Sequence, residues 1–358
     1  MVVKVGSSSL TGDGGLDEQA VASVVDQIAA LREAGRQVVL VSSGAVAAGL
    51  PTLGMQQRPG DIPGLQAAAA VGQGRLMETY SRRFADRGLV AGQVLLTRDV
   101  LSSRDQYLHA KEALDRLLGL GVVPIVNEND TVVVDELRLG DNDRLAAIVS
   151  HLIGAGLLVL LTDTEGLFSG DPRFDTGAEL LDAVQATDVA LEAIVGGGAG
   201  PLGSGGVATK VAAARMAAWS GIPTVVASAR ARGVVVAAAA GEPVGTWVEP
   251  HPSSLSARKL WIAFGMVARG AVTVDDGAVR ALARDGGSLL AVGVTAVEGA
   301  FEAGRAVEVL GPDGALVGKG RAGMSASEIR AAMGRHSSEV GGEVVHRDDL
   351  VVLVEGVG

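Results

Sequence analysis

From residue 1 to about 250, short β-branched runs with no polar alternation are interleaved with longer Ala- and Leu-rich stretches of helical period. Unbroken apolar runs are what strands buried on both faces need, and helices between them supply the cover. The pattern therefore predicts an α/β fold, a three-layer sandwich around a mostly parallel central sheet. The clearest strands are Val2–Val5, Val38–Val41, Val122–Val126, Leu157–Leu161 and Pro223–Val226, each too short for a helix and each followed by turn or polar residues. A first helix is expected from Asp17, as N-cap, to Gly35; others cover Arg144–Leu152 and Lys210–Ser220, the last closed by Gly221.

The rhythm changes around Pro250–Ser256. Beyond it lie shorter strand-like pieces, Ala271–Val274, Ala306–Leu310 and Ala315–Gly318, broken by Gly and Asp-Gly turns, which predict a second, small, mainly-β domain. A chain of 358 residues exceeds what one hydrophobic core usually organises. The expected division is a domain over 1–252, a linker over 253–267, a β domain over 268–346 and a tail over 347–358.

Composition narrows the function. With 48% apolar and 20% charged residues there is material for a large core and no case for disorder. A net charge of −11 disfavours non-specific attraction to nucleic acid or anionic membranes. The absence of cysteine excludes disulfides and thiolate metal sites. The opening Met1-Val2-Val3-Lys4-Val5-Gly6 has no basic and apolar regions of a signal peptide, and no apolar run approaches bilayer-spanning length, so a soluble cytoplasmic protein is expected.

In open α/β sheets ligands bind beyond the carboxyl ends of the strands, which makes polar clusters there the candidate chemistry. Lys4, followed by Gly6-Ser7-Ser8-Ser9, puts a cation in an apolar strand ahead of backbone N–H groups suited to an anion. Ser42-Ser43-Gly44-Ala45 is a small-residue turn into a helix, where serine serves equally as ligand group or cap. Asn127-Glu128-Asn129-Asp130 holds more polar groups than a simple turn needs. Gly140-Asp141-Asn142-Asp143 follows, and in an extended segment its two aspartates project to one side. Thr162-Asp163 opens a fourth cluster, which reads equally as a strand-turn-strand segment. The fifth, Gly203-Ser204-Gly205-Gly206-Val207-Ala208-Thr209-Lys210, reads as a glycine-dense loop ending in a lysine that opens a helix, suited to a polyphosphate but not a Walker A sequence. Two lysines on separate segments, a glycine-rich loop and an acidic pair are what phosphoryl transfer between two anions requires.

These five segments, in this order, resemble the amino acid kinase family. The wording Ser-Ser-Gly-Ala-Val-Ala-Ala-Gly, Val-Asn-Glu-Asn-Asp and Gly-Asp-Asn-Asp is similar to its branch that phosphorylates the side-chain carboxylate of L-glutamate. The resemblance implies direct transfer from ATP with Mg²⁺ carried mainly by the ATP phosphates. It assigns Lys4, Lys210 and Asp143 to catalysis, and Ser43, Gly44, Asn127, Asp130, Asp141 and Asn142 to the acid. To ATP it assigns Lys4, Thr162, Asp163, Ser204, Gly205, Gly206, Val207, Ala208, Thr209 and Lys210. It further implies feedback inhibition by proline and a homo-oligomer, a dimer or tetramer. Leu65 stands where relatives usually carry lysine, and Phe168 where tyrosine is common.

Past residue 268, Asp276-Gly277-Ala278-Val279-Arg280-Ala281-Leu282, Gly287-Ser288-Leu289-Leu290, Gly293-Val294 and Gly299-Ala300-Phe301 resemble a PUA domain. PUA domains elsewhere bind RNA; here balanced charge and scarce aromatics favour a structural or regulatory module over a nucleic-acid partner. The rival readings are a relative using aspartate, carbamate, acetylglutamate or a nucleoside monophosphate, and an RNA-binding protein read through its tail.

Overall fold

The computed structural model describes residues 1–354 apart from 13–14, 102, 133–140, 186, 188–203 and 336–340; at 98, 99, 141, 204, 205 and 285 it describes the backbone. The chain falls into two compact units, Met1–Ser254 and Leu255–Gly358.

In the first unit the chain runs β1 (Val2–Val5), a two-rung hairpin of β2 (Thr11–Gly12) and β3 (Gly15–Leu16), α1 (Glu18–Glu33), β4 (Val39–Ser42), α2 (Ala45–Thr52) and α3 (Ile62–Ala85). It continues through β5 (Ala91–Leu96), α4 (Arg104–Gly119), β6 (Val123–Glu128), α5 (Asp141–Ile153), β7 (Leu158–Thr162) and β8 (Ala183–Gln185). It closes with α6 (Ser204–Ala218), β9 (Thr224–Ser228), α7 (Val234–Ala240) and β10 (Thr246–Glu249). The sheet order is β5-β6-β4-β1-β7-β9-β10-β8, and every neighbouring pair is parallel except β9 with β10. This is the expected mostly parallel sheet with helices between its strands, and β1 lies at its centre.

Four of the five anticipated strands extend past their apolar run. Ser42 pairs with Val5, Asn127 and Glu128 with Leu95 and Leu96, and Thr162 with Ser228. The parallel ladders thus continue into the polar residues, which sit on the last rungs of the sheet rather than in turns. Rigid backbone pairing holds them all at one edge.

The first helix forms as its signals require: Asp17 accepts from the backbone N–H of Gln19 at 2.8 Å and of Ala20 at 3.1 Å, and Gly35 adopts φ +75° just beyond the helix. Its Val21, Val25 and Ile28 join Val3, Val5, Leu40 and Val159 in the core. A second constraint is the seam between α2 and α3. A Cβ on Gly72 would lie 1.7 Å from the Ala45 carbonyl oxygen, and one on Gly49 2.0 Å from that of Ala68. The two helices therefore touch backbone to backbone.

The second unit carries a five-stranded sheet, β11 (Ala268–Val274), β12 (Val294–Gly299), β13 (Ala306–Leu310), β14 (Leu316–Arg321) and β15 (Leu350–Val352), in the order β12-β11-β13-β14-β15. Two helices, Asp276–Asp285 and Ala326–Ala332, accompany it, and Val272, Val307, Ile329 and Val345 are fully buried in its core. The stretch 253–267, anticipated as a linker, is ordered structure. Ala257–Leu260 is helical and runs into a π turn over Trp261–Gly265, with Leu260 and Ile262 fully buried. The Lys319 ammonium donates to the carbonyls of Ala263 and Met266 at its end. Likewise the stretch from 347, anticipated as a tail, supplies β15. Among the described residues no helix is long and apolar enough to cross a membrane.

The seam predicts a sharp contrast within α3. Gly72→Ala is expected to lower stability by at least about 1–3 kcal/mol, because backbone must move to admit one methyl group. Gly74→Ala, whose Cβ meets nothing within 4 Å, is expected to be neutral or to stabilise by up to about 1 kcal/mol. Urea titration of both variants measures this.

Candidate active site

β1 brings Lys4 to the middle of the sheet's carboxyl edge, beside Val41 of β4 and Leu160 of β7. Lys4 is 3% exposed, and its ammonium lies 2.7 Å from Oδ1 of Asp143, which is fully buried. The other carboxylate oxygen, Oδ2, receives the Thr209 hydroxyl at 2.8 Å and the Lys210 ammonium at 3.3 Å. Two cations distant in sequence thus meet on one carboxylate.

The electrostatics follow from that geometry. Burial pushes the Asp143 carboxyl up, but the charges of Lys4 and Lys210, with hydrogen bonds from Lys4 and Thr209, hold it below its ordinary value of 3.8. Burial pushes the Lys4 ammonium down; Asp143 pulls it up and Lys210 pushes it down again, and the net direction is down. One carboxylate offsets only one of two ammonium groups, so the cluster carries an excess positive charge in a place where water is scarce. It is built to receive an anion.

Asp143 arrives on the first turn of α5, and here the structure corrects an expectation. Residues 141–143 are helical, not extended, so positions 141 and 143 lie about 200° apart around the helix axis instead of sharing a side of a strand. The side chain of Asp141 lies outside the described residues. Helical splay lets adjacent residues serve different neighbours. Asn142 Nδ2 donates to Ser43 Oγ and to Asn127 Oδ1, both at 2.9 Å, and to the Ser42 carbonyl at 3.4 Å. The Glu128 backbone N–H donates to Asn127 Oδ1 at 2.9 Å and to Asn142 Oδ1 at 3.2 Å. Ser43, Asn127 and Asn142 therefore form one network across the ends of β4 and β6 and the start of α5. Gly44 opens α2 with φ +108°, a conformation that favours glycine, and Asp130 follows β6 in a half-buried turn.

On the opposite side of β1, Thr162 ends β7 and donates its hydroxyl to Asp163 Oδ1 at 3.1 Å. The expected glycine-dense loop is corrected in part. α6 begins at Ser204, so Ser204 to Thr209 are already helical and Lys210 lies in its second turn rather than at its start. The helix closes on itself there: the Gly206 carbonyl accepts from Thr209 Oγ at 3.1 Å and from Lys210 Nζ at 3.4 Å. Gly206, Val207 and Ala208 follow the helix backbone, and Gly203 and Gly196–Gly200 lie outside the described residues.

Two residues that sequence reasoning did not single out reach this edge from α3. Gln73 Oε1 accepts from Asn127 Nδ2 at 2.8 Å, and the buried Tyr80 hydroxyl lies 2.9 Å from Ser42 Oγ. Burial pushes the Tyr80 phenol up, with Ser42 acting in the opposite sense. Their seven-residue spacing on one helix face was the available signal.

Removing the shared carboxylate should be felt in stability as well as in chemistry. Asp143→Asn is expected to destabilise by about 3–5 kcal/mol by leaving two ammonium groups facing each other in a buried site. Because the folded-state value lies below 3.8, this contribution is present above that pH and is lost as pH falls through the folded value. The gap between wild type and variant in denaturant midpoints should hold across neutral pH and narrow only in acid.

Comparison with known proteins fits this geometry. Residues 1–228 match the model of the amino acid kinase family, and residues 270–344 that of the PUA domain. The chain is similar to a glutamate 5-kinase of Marinomonas sp. (strain MWYL1), at 49% identity over 99% of this chain and 97% of that protein. It is similar to glutamate 5-kinases of Pelobacter propionicus, at 47% over 99% and 97%, and of Stutzerimonas stutzeri, at 48% over 98% and 97%. With a family match across well over half of its residues and relatives of this similarity along nearly all of them, the chain belongs to the amino acid kinase family.

Proposed function

We propose that this protein transfers the γ-phosphoryl group of ATP to the side-chain carboxylate of L-glutamate, giving L-glutamyl 5-phosphate and ADP, the first step of proline biosynthesis. The observation that carries the reading is the convergence of Lys4 and Lys210 on buried Asp143, midway between a polar network on one side of β1 and Thr162 with α6 on the other. The name shared by the full-length relatives supports glutamate as the acceptor.

In this reading a carboxylate oxygen of glutamate forms a bond to the γ-phosphorus as the bond from that phosphorus to the β–γ bridging oxygen breaks, and the electron pair leaves on ADP. No base is needed, because a glutamate side chain with a pKa of about 4.3 is already ionised at neutral pH. The difficulty is repulsion between two anions. Lys4 and Lys210 offset it by facing the charge that spreads over the transferring group, and Asp143 keeps both amines aimed while Thr209 holds the carboxylate. Ser43, Gly44, Asn127, Asp130, Asp141 and Asn142 take the amino acid; Thr162, Asp163 and the segment Ser204–Lys210 take the nucleotide.

Magnesium enters with ATP as part of the substrate and neutralises phosphate charge. Both oxygens of Asp143 already meet ammonium or hydroxyl groups, so that carboxylate is not free to ligate it. Proline, which presents an amino acid's charged ends, is proposed as a feedback inhibitor at or overlapping the glutamate site. A cytoplasmic homo-oligomer completes the proposal, with the second unit, Leu255–Gly358, acting as a structural or regulatory module.

The reading is tested by following ADP release with Mg-ATP and glutamate, aspartate or acetylglutamate in turn, trapping acyl phosphate with hydroxylamine; glutamate alone should respond. Lys210→Ala is expected to lower kcat on the order of 10²-fold or more with a smaller change in glutamate KM, since its charge matters most in the transition state. Unchanged kcat would remove that role. Asp130→Ala is expected mainly to raise glutamate KM, and an effect confined to ATP would mean that the two halves are exchanged.

A further inference from the structure

Gln73 lies within α3, outside every motif that the sequence offers, yet its carboxamide ends on Asn127. Which atoms meet is dictated by the backbone. The Glu128 N–H can only donate, and it points at Asn127 Oδ1 from 2.9 Å; Asn142 Nδ2 brings a second donor to the same oxygen at 2.9 Å. With Oδ1 so engaged, Asn127 turns Nδ2 toward α3, and Gln73 must answer with Oε1, at 2.8 Å. Gln73 Nε2 is thereby left buried and without a hydrogen-bond partner among the described residues. A side chain present for packing alone would not carry that penalty, because an apolar residue of the same shape avoids it.

The delivery of Gln73 is equally specific. Its neighbour Gly72 is the residue whose missing side chain lets α3 touch α2 backbone to backbone. The glutamine that reaches the end of β6 is thus next in sequence to the closest point of that contact. The terminal torsion of an asparagine is broad, so Asn127 needs a partner on each face of its amide to hold one orientation. Glu128 and Asn142 fix the oxygen side, and Gln73 fixes the nitrogen side.

We infer that Gln73 is a positioning residue for the acceptor amino acid: its Oε1 locks the Asn127 carboxamide, and through it Asn142 and Ser43, in the arrangement that receives the charged ends of the substrate. The inference rests on the acceptor site proposed above and extends that site to a helix that contributes no motif.

A double-mutant cycle tests it. Gln73→Met keeps the shape and removes the hydrogen bond; it is expected to raise glutamate KM about tenfold, with kcat and ATP KM changed less than twofold. In an Asn127→Ala background the same substitution should change glutamate KM less than twofold, because Gln73 acts through Asn127. Equal effects in both backgrounds, or an unchanged KM in the first, overturn the inference. Should Gln73→Met fail to fold, Gln73→Glu, which keeps an accepting oxygen, is expected to retain glutamate KM within threefold, and a tenfold rise overturns the role. Failure of the wild type to turn over glutamate overturns the acceptor reading itself, whereas wild-type turnover with additive effects removes Gln73 alone.

Discussion

A carboxylate with no exposure to solvent, held between two ammonium groups, is the interaction around which the first unit is arranged. Burying such a cluster is unfavourable unless every partner arrives at the right distance, and each partner here comes from a different part of the chain. Lys4 requires β1 at the centre of the sheet, Asp143 requires α5 to start at the sheet's carboxyl edge, and Lys210 requires α6 to begin early enough to put its second turn there. The parallel sheet is what makes the meeting possible. Strand ends that point the same way gather Ser42, Asn127, Glu128 and Thr162 along one line.

The cluster also divides the labour between the two sides of β1. Toward β4 and β6 the side chains that hydrogen-bond one another, Ser43, Asn127 and Asn142, are a neutral hydroxyl and neutral amides; toward α6 the polar groups include the second ammonium. Amides and hydroxyls discriminate by direction, while a cation acts on charge wherever it is. That asymmetry suits one substrate recognised by shape and another recognised by its phosphates.

Much of this was legible in the sequence because the chemistry sits at strand ends, where apolar runs give way to Ser, Asn, Asp and Thr. The five strands, the cap at Asp17 and the residues of the charged cluster could all be read locally. What could not be read locally was where ladders and helices begin and end. Ser42, Asn127 and Thr162 look like turn residues, but hydrogen bonding to neighbouring strands keeps them in the sheet. Ser204-Gly205-Gly206 looks like a loop because glycine disfavours helix, yet contacts made by Thr209 and Lys210 favour the helix from its start. Gln73 and Tyr80 offered only their spacing, for a different reason: each acts across the fold on a residue far away in the chain, 54 positions in one case and 38 in the other.

Asn142 and Asp143 share one helical turn, and that adjacency ties the polar network at the ends of β4 and β6 to the charge balance of the buried cluster. A substitution that rotates or shifts the start of α5 to admit a larger acid would drag the buried carboxylate off Lys4 and Lys210 at the same time. On the acceptor site proposed above, redesign of acceptor choice would have to come from the β4 and β6 ends, leaving that turn untouched.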